Sequence, residues 1–427
     1  MNLRFILQNF ELIKKNCQLR KVTVDLNSIK DWAQKRSQFL QKTEETQAKL
    51  NKIAKKIEKI KEKKQKEKLI KEGQRLKTSL KKEKVSLQKI EDKLKEVISQ
   101  IPNLTHSEAP IGSDEKDNKE IKRIGEIPKF SFQPRDHLEL GKLLDLFDFE
   151  AGVKTTGHKF YFLKNDGLFL ELALIQYALE ILFKKGFQLF ITPDLADLKI
   201  IEGIGYLPRG SENQNYKIED ENLGLIATAE ITLGGSFKDK IFNEEKLPLK
   251  LGGLSHCFRR EAGSHGQASK GLYRVHQFPK VEMFIFCHPQ DSEKMLDYLV
   301  ETEIEIFQGL GIPFRIVDCC SGDLGGAAYR KFDLEAWLPS EKRWGEITSA
   351  SNCTNYQTQR LNIKFKPKNG KIEFVHSLNA TALATPRCII ALLENFQQAD
   401  GSVIIPPILQ KYLGNKKKLE IKKTLIL

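Results

Sequence analysis

Two patterns of apolar residues divide the chain. From about residue 27 to 99, apolar positions recur at spacings of three and four. Trp32, Phe39, Leu50, Ile53, Ile57 and Ile60 fall on one register, with some polar positions between, and Leu69, Leu76, Leu80, Leu87, Ile90, Leu94 and Val97 fall on another. Such spacing draws a narrow seam along a helix. Neither arm has much apolar surface besides its seam, so neither can bury itself alone. The expectation is an antiparallel helical hairpin, its arms joined by the very polar KEKKQKEK at 61–68. Gly73 falls on the second seam and weakens it locally. The stretch before the arms, RFILQNFELIKKN, has helical spacing and reads as a cap.

Beyond Pro102 the pattern changes. SQIPNLTHSEAPIGSDEKDNKE is rich in loop formers, and a mixed pattern follows. The expected division is a helical hairpin domain at 1–105, a linker at 106–129 and a larger domain at 130–427. GLFLELALIQYALEILFKKGF (167–187) predicts a helix with Gly186 as its C-terminal cap. QLFITPDL reads as a strand interrupted by Pro193 and therefore placed at an edge or an end. The strand ending in CFRRE and the alternating GLYRVHQFPKVEMFIFCHP predict a long hairpin. Further strand candidates are RIVDCCSGDLG, KFDLEAWLP, WGEITSASN and KIEFVHSLNATALA. An amphipathic helix, TPRCIIALLENFQQA, opens with Pro386 near its first turn. Strands arrive in succession rather than alternating with helices, which predicts an α+β domain on an antiparallel sheet. Neither GxGxxG after a strand nor GxxxxGK[ST] occurs, so those two phosphate-binding solutions are excluded.

Composition narrows the function. The 427 residues carry a formal net charge of +14. Such a balance favours a polyanionic partner, or reflects solubility alone. The lysines on the arms fit either a solvated coiled-coil surface or a basic arm that tracks a phosphate backbone. Seven scattered cysteines without CxxC suggest neither a disulfide framework nor a zinc site, and fit reduced thiols in a cytosolic protein. No apolar run approaches a membrane span, and the first residues do not read as a signal peptide. A cytoplasmic location without membrane attachment is expected.

The stretch CFRREAGSHG concentrates charge where the backbone turns flexible. On a strand, Arg259 and Glu261 share one face while Arg260 points away. A guanidinium can fork onto phosphate or carboxylate oxygens, and a carboxylate beside it can accept from an exocyclic amine. On the following strand, positions 274, 276, 278, 280 and 282 share a face. That face offers Arg274, Phe278 to stack a purine, and Glu282 to hold an ammonium or hydroxyl. The same residues would also form a cross-strand ion-pair ladder on an exposed hairpin.

A resemblance bears on that choice. CFRREAG…GLYRVHQFPKVEMF resembles motif 2 of the class II aminoacyl-tRNA synthetases in the form carried by the seryl-tRNA synthetases. NATALATPRCIIALLENFQQADGSVIIPPIL resembles that family's motif 3. TAE at 228–230, GEITSASNCTNYQTQR at 345–360 and the lysine-rich hairpin match the seryl pattern too. The resemblance covers nearly the whole chain. It implies an antiparallel sheet of six to seven strands flanked by helices, and a homodimer formed through motif 1, here the helix and strand ending at Pro193. It also implies an N-terminal hairpin that grips tRNA(Ser), with tRNA(Sec) a second candidate.

The implied activity is formation of seryl-adenylate from L-serine and ATP, then transfer to tRNA. The implied roles follow the matching strings. Thr228, Ala229 and Glu230 form the serine-site segment. Arg259 bridges the α-phosphate and the substrate carboxylate, Glu261 contacts the adenine amine, and Phe278 stacks on adenine. Val275 touches the nucleotide through its backbone. Arg260, in the same segment, is included with the ATP-contacting residues. Glu282 holds serine, with Thr381 on its hydroxyl and Asn379 nearby. Glu346, Ile347, Thr348 and Ser349 match a nucleotide and metal contact, with Glu346 the expected ligand of Mg²⁺. Arg387 faces the γ-phosphate. Arg259, Arg387 and Glu346 are thus the expected catalytic set.

The sequence departs from the family's usual pattern at four places. Gln267 and Lys270 stand where arginines are common, Arg260 where serine is frequent, and Thr348 where another serine is common. Two other functions use the same residues differently: a catalytically silent paralogue, and a ligase loading a carrier protein. The first has no use for the full set of charged residues. Proteins of the second kind lack the long arm.

Overall fold

The computed structural model describes residues 1–206, 215–261 and 270–421. The chain divides into two compact units, Met1–Pro102 and Asn103–Leu427.

In the first unit two short helices, Leu3–Gln8 and Phe10–Leu19, bury Ile6, Ile13 and Cys17. Asp25 then caps α1 (Leu26–Lys59), its carboxylate accepting from the Ser28 N–H at 3.1 Å. The returning helix is α2 (Lys63–Gln100), packed along α1. The polar run at 61–68, expected as the connection, lies mostly inside α2, and only residues 60–62 join the arms. Lysine, glutamate and glutamine are good helix formers, and nothing in the run breaks a helix. The expected seams meet, with Ile53, Leu80 and Leu94 buried and the other seam positions at least half-buried. Midway the seam turns polar. Thr43, Thr46 and Glu83 are buried there, and the Ser79 hydroxyl donates to Glu83 at 3.0 Å. Arg36 and Glu91 link the helices at 2.9 Å.

The second unit is built on one eight-stranded sheet. In chain order its elements are β1 (Lys119–Ile124), α3 (Asp166–Lys184), β2 (Gln188–Ile191), β3 (Leu249–Phe258), β4 (Gln277–Cys287), α4 (Ser292–Leu310), β5 (Phe314–Asp318), β6 (Arg330–Leu338), β7 (Arg343–Thr354), β8 (His376–Ala384) and α5 (Thr385–Phe396). The spatial order is β1-β5-β6-β7-β8-β4-β3-β2. Every neighbouring pair is antiparallel except β2 and β3 at one edge. The opposite edge, β1, comes from the stretch read as a linker. Its sequence KEIKRI leaves five of six positions exposed, so it lacks the apolar alternation that marks a strand. Charge on an edge strand is a usual guard against edge-to-edge pairing.

The strand β2 stops at Ile191, and Pro193 follows at the end of this edge strand, where the sheet needs no N–H from it: the Thr192 N–H makes the last bond to β3, at 3.1 Å from the Leu254 carbonyl. Gly186 adopts φ 78° after α3, where its N–H donates to the Phe183 carbonyl at 3.0 Å. That is the left-handed cap expected of it.

Alternation along β4 sorts its side chains between two cores. Val281, Met283 and Ile285 join α3, α4 and α5 in the larger core. Phe284 and Phe286 face the opposite way, into a smaller core with Ile201, Ile204, Ile231 and Leu233 from short helices at 198–204 and 230–235. Phe278, Lys280 and Glu282 share the face of Phe284. All seven cysteines are buried. Among the described residues, no helix is long and apolar enough to cross a membrane.

Candidate active site

The site lies on that second face of the sheet. An open cleft of about 150 Å³ is walled by β4, β7, β8, the residues just past β3 and the first turn of α5. It gathers residues far apart in the chain: Glu230, Arg259, Glu261, Val275, Phe278, Glu282, Glu346 to Ser349, Asn379, Thr381 and Arg387.

Two irregularities aim these side chains. The register of β7 against β6 jumps from Leu334↔Thr348 to Glu335↔Glu346, so Ile347 is an extra residue. The register of β8 against β4 jumps from Thr381↔Glu282 to Leu383↔Val281, so Ala382 is another. A bulge swings the strand locally and breaks strict alternation. Four consecutive residues, Glu346 to Ser349, reach the cleft for this reason. Thr348 does so without its hydroxyl, whose oxygen is buried. Behind it Glu303 of α4 is fully enclosed, and burial pushes its carboxyl well above the usual range. The hydroxyl left to meet a ligand on this segment is that of Ser349.

Arg259 follows the end of β3, held by two bonds to His276. Its N–H donates to the His276 carbonyl at 2.9 Å, and the His276 Nδ1 meets the Arg259 carbonyl at 2.7 Å. Its guanidinium lies 5.4 Å from the centre of the Phe278 ring, which packs with Cys257, Val275 and Ala384. Burial raises the Glu282 carboxyl against the pull of Lys280 and then Arg259. Glu261 takes a left-handed φ of 48°, rare without glycine, and accepts from Arg274 Nη1 at 2.9 Å. This pair ties the two ends of the segment between them. Arg260, expected among the ATP-contacting residues, is not one of the residues that line the cleft. His265 and Gln267 lie outside the described residues.

On the opposite wall, Arg387 Nη1 lies 3.2 Å from the Glu346 carboxylate, and the guanidinium sits 4.7 Å from the Tyr273 ring centre. Partial burial raises the Glu346 carboxyl, but Arg387, Lys331 and Arg259 outweigh it and hold the group below its ordinary value. A single carboxylate with substrate oxygens is the usual donor set for magnesium, and Glu346 with Ser349 fits it. Cys319, Asp323 and Asp333 also come together as a possible metal cluster. Lys331 Nζ already sits 3.3 Å from Asp323 and 3.0 Å from Asp333, so this cluster carries its own cation.

The floor of the cleft is acidic and buried. The Glu230 carboxylate accepts from Gln357 at 2.5 Å, Asn379 at 2.8 Å and the Tyr206 hydroxyl at 3.3 Å. Burial, and then the charge of Glu282, push its carboxyl up to about 7, against the pull of Gln357, Lys280 and Tyr206. Thr228 and Ala229 lie wholly buried beneath the cleft rather than in its lining. The Thr228 hydroxyl accepts from the Glu230 N–H at 3.4 Å. Lys280 and Tyr206 line the cleft without having been singled out from the sequence. Lys280 was within reach, being on the same strand face as Phe278 and Glu282. Tyr206 and Gln357 carry no local signal, since only the fold brings them to Glu230.

Relatives of known identity match along most of the chain. The description "Seryl-tRNA synthetase N-terminal domain" fits residues 1–105, and "tRNA synthetase class II core domain (G, H, P, S and T)" fits residues 216–396. A serine–tRNA ligase of Treponema denticola is 59% identical over 323 residues, 75% of this chain and 76% of the relative. One from Rubrobacter xylanophilus is 48% identical over 416 residues, 97% of this chain and 98% of the relative. The crystal structure of seryl-tRNA synthetase from Pyrococcus horikoshii complexed with ATP superposes with a TM-score of 0.88 at 34% identity, covering 99% of this chain and 100% of that one. With a cleft of this make-up and relatives this similar over both units, the chain belongs to the seryl-tRNA synthetase family.

Proposed function

We propose that the protein is a serine–tRNA ligase that activates L-serine with ATP and transfers it to the 3′ end of tRNA(Ser). The observation that carries this reading is the convergence of Arg259, Phe278, Glu282 and Glu346 on one cleft, with the Arg259 guanidinium 5.4 Å from the Phe278 ring centre. An arginine so placed suits a group that bridges an amino acid carboxylate and a nucleotide phosphate.

In the first step a serine carboxylate oxygen attacks the α-phosphorus of ATP. The bond to the β-phosphate bridging oxygen breaks, and pyrophosphate leaves. In the second step the terminal ribose hydroxyl of the tRNA attacks the activated carbonyl carbon, loses its proton, and AMP departs. Neither step needs a protein nucleophile, so positioning and charge neutralisation do the work. Phe278 offers a ring for adenine and Glu261 an acceptor for its amine. Arg387 would exchange Glu346 for the γ-phosphate. Magnesium bound at Glu346 would add positive charge to the phosphates. Glu282 and Thr381 would take the serine hydroxyl, leaving partners unpaired when alanine enters.

The hairpin is the proposed tRNA grip, and tRNA(Sec) is a second candidate for it. Helices α1 and α2 together carry 22 Lys and Arg against 10 Asp and Glu. That excess suits a phosphate backbone better than a merely solvated face. A homodimer is proposed through α3 and β2, which pack together. Leu168, Phe169 and Leu172 are exposed on α3, and Phe190 and Ile191 on the β2 edge, with Ile191 85% exposed. A cytoplasmic location completes the reading.

The purified protein should exchange labelled pyrophosphate into ATP when serine is present. Exchange supported by glycine or alanine but not serine overturns the substrate assignment. Deleting residues 27–99 should spare this exchange and abolish tRNA charging, and retained charging would reduce the hairpin to a structural part.

A further inference from the structure

Lys280 is buried, at 4% exposure, in the floor of the cleft. Its ammonium is in direct contact with the Glu282 carboxylate, two residues along the same strand face. The same nitrogen lies 3.5 Å from Thr381 Oγ1 on the neighbouring strand β8, where Thr381 and Glu282 are register partners. One cation therefore touches both groups expected to read the serine side chain. The bulge at Ala382 follows immediately, and the pairing of β4 with β8, which runs from His376↔Cys287 to Ala384↔Lys280, leaves little freedom in this arrangement.

The chemistry of each contact matters. A carboxylate as enclosed as Glu282, at 1% exposure, takes up a proton unless a cation stays beside it. Burial raises the Glu282 carboxyl, and Lys280 is the foremost group opposing that rise, ahead of Arg259 and Thr228. A protonated Glu282 would lose its attraction for a substrate ammonium and one of its two acceptor oxygens. At Thr381, the oxygen faces a donor that has no acceptor capacity, so the hydroxyl proton must point elsewhere. The cleft is where a substrate hydroxyl oxygen would receive it. A serine hydroxyl would then donate to Glu282 and accept from Thr381, which alanine cannot do.

We infer that Lys280 is a positioning residue for serine: it holds Glu282 as an acceptor and turns Thr381 into a donor, so that the pair recognises a small amino acid bearing a hydroxyl. The inference rests on the serine-activation reading above. Its effect is local to the amino acid, because Lys280 touches neither Phe278 nor Arg387 among its hydrogen bonds and ion pairs.

The test uses the full chain in serine-dependent pyrophosphate exchange, with the wild type first. Absence of serine-dependent exchange there removes the substrate reading itself. Given that exchange, Lys280→Met should raise the serine KM by roughly tenfold or more while leaving the ATP KM within about twofold, since one partner of a buried charge pair is gone. Preference for serine over alanine should fall in parallel. A double-mutant cycle separates positioning from folding: in a Glu282→Gln background, Lys280→Met should add less than about threefold, because the group it acts through is already neutral. Equal rises in the serine and ATP KM, an unchanged serine KM, or full additivity with Glu282→Gln would each overturn the inference. ATP binding by the unliganded variant, measured by calorimetry, reports whether it is folded. Loss of ATP binding would also count against a role confined to serine.

Discussion

Arg387 Nη1 lies 3.2 Å from the carboxylate of Glu346 and 3.0 Å from the main-chain oxygen of the same residue. The first turn of one helix is thereby locked to the bulged segment of β7. Without ligand the two charges answer each other, and with a triphosphate present each has a better partner.

Arg387→Ala should therefore lower the rate of serine activation by about 10²–10³-fold, the usual loss when one donor to developing charge is removed. Arg387→Lys should recover little, because an ammonium cannot fork onto two oxygens or stack on Tyr273 as a guanidinium does. Pre-steady-state adenylate formation is the measurement. A lysine variant with wild-type rates would mean that bare charge suffices.

Glu230 predicts a pH dependence of stability. Its carboxyl is raised from 4.5 to about 7, by burial first and Glu282 second. An acid that holds its proton more tightly when folded makes its full contribution below the unfolded value and loses it as pH rises. The window is pH 4.5 to 7, and the loss is about 3 kcal/mol at most. Glu230→Gln removes this titration. Relative to wild type, the variant should gain stability in urea as pH increases through that window. A difference that stays flat from pH 4.5 to 8 would place the titration elsewhere.

Gly73 offers a stability test of the hairpin. A Cβ built there would meet Ile53 Cγ2 at 3.7 Å, an ordinary contact across the seam. Gly73→Ala should stabilise the hairpin by about 0.5–1 kcal/mol through helix propensity and a less flexible unfolded chain. Thermal unfolding of the 1–105 fragment, or hydrogen exchange of α2 in the full chain, would register it. Destabilisation would show that the seam cannot accept a methyl group at this position.

The dimer proposal makes a separate prediction. Ile191→Glu places a charge on the most exposed apolar residue of the β2 edge. Sedimentation should show a shift from dimer toward monomer, while ATP binding, which uses other strands, persists. An unchanged dimer would move the interface away from this edge.

Much of this protein is written in local pattern. Seams spaced by three and four determined the two arms, because helical geometry and the need to bury an apolar stripe leave few other outcomes. Alternation along 277–287 determined a strand and placed Phe278 and Glu282 on one face. The charged β1 and the helical start of the polar run at 63 escaped that reading. An edge strand needs no apolar face, and a helix docked on a partner needs little propensity beyond the absence of breakers.

The working geometry of the cleft belongs to the tertiary structure. Single-residue bulges at Ile347 and Ala382 bring Glu346 and Ser349, and Thr381 and Ala384, to the same cleft, yet one extra residue in a strand leaves no mark on periodicity. Tyr206 and Gln357 meet Glu230 from segments 24 and 127 residues away. Residue identity settled which groups were available for charge, stacking and hydrogen bonding. Their distances, burial and protonation depended on packing, because a carboxylate has a defined partner and a shifted pKa only after distant strands have excluded water around it.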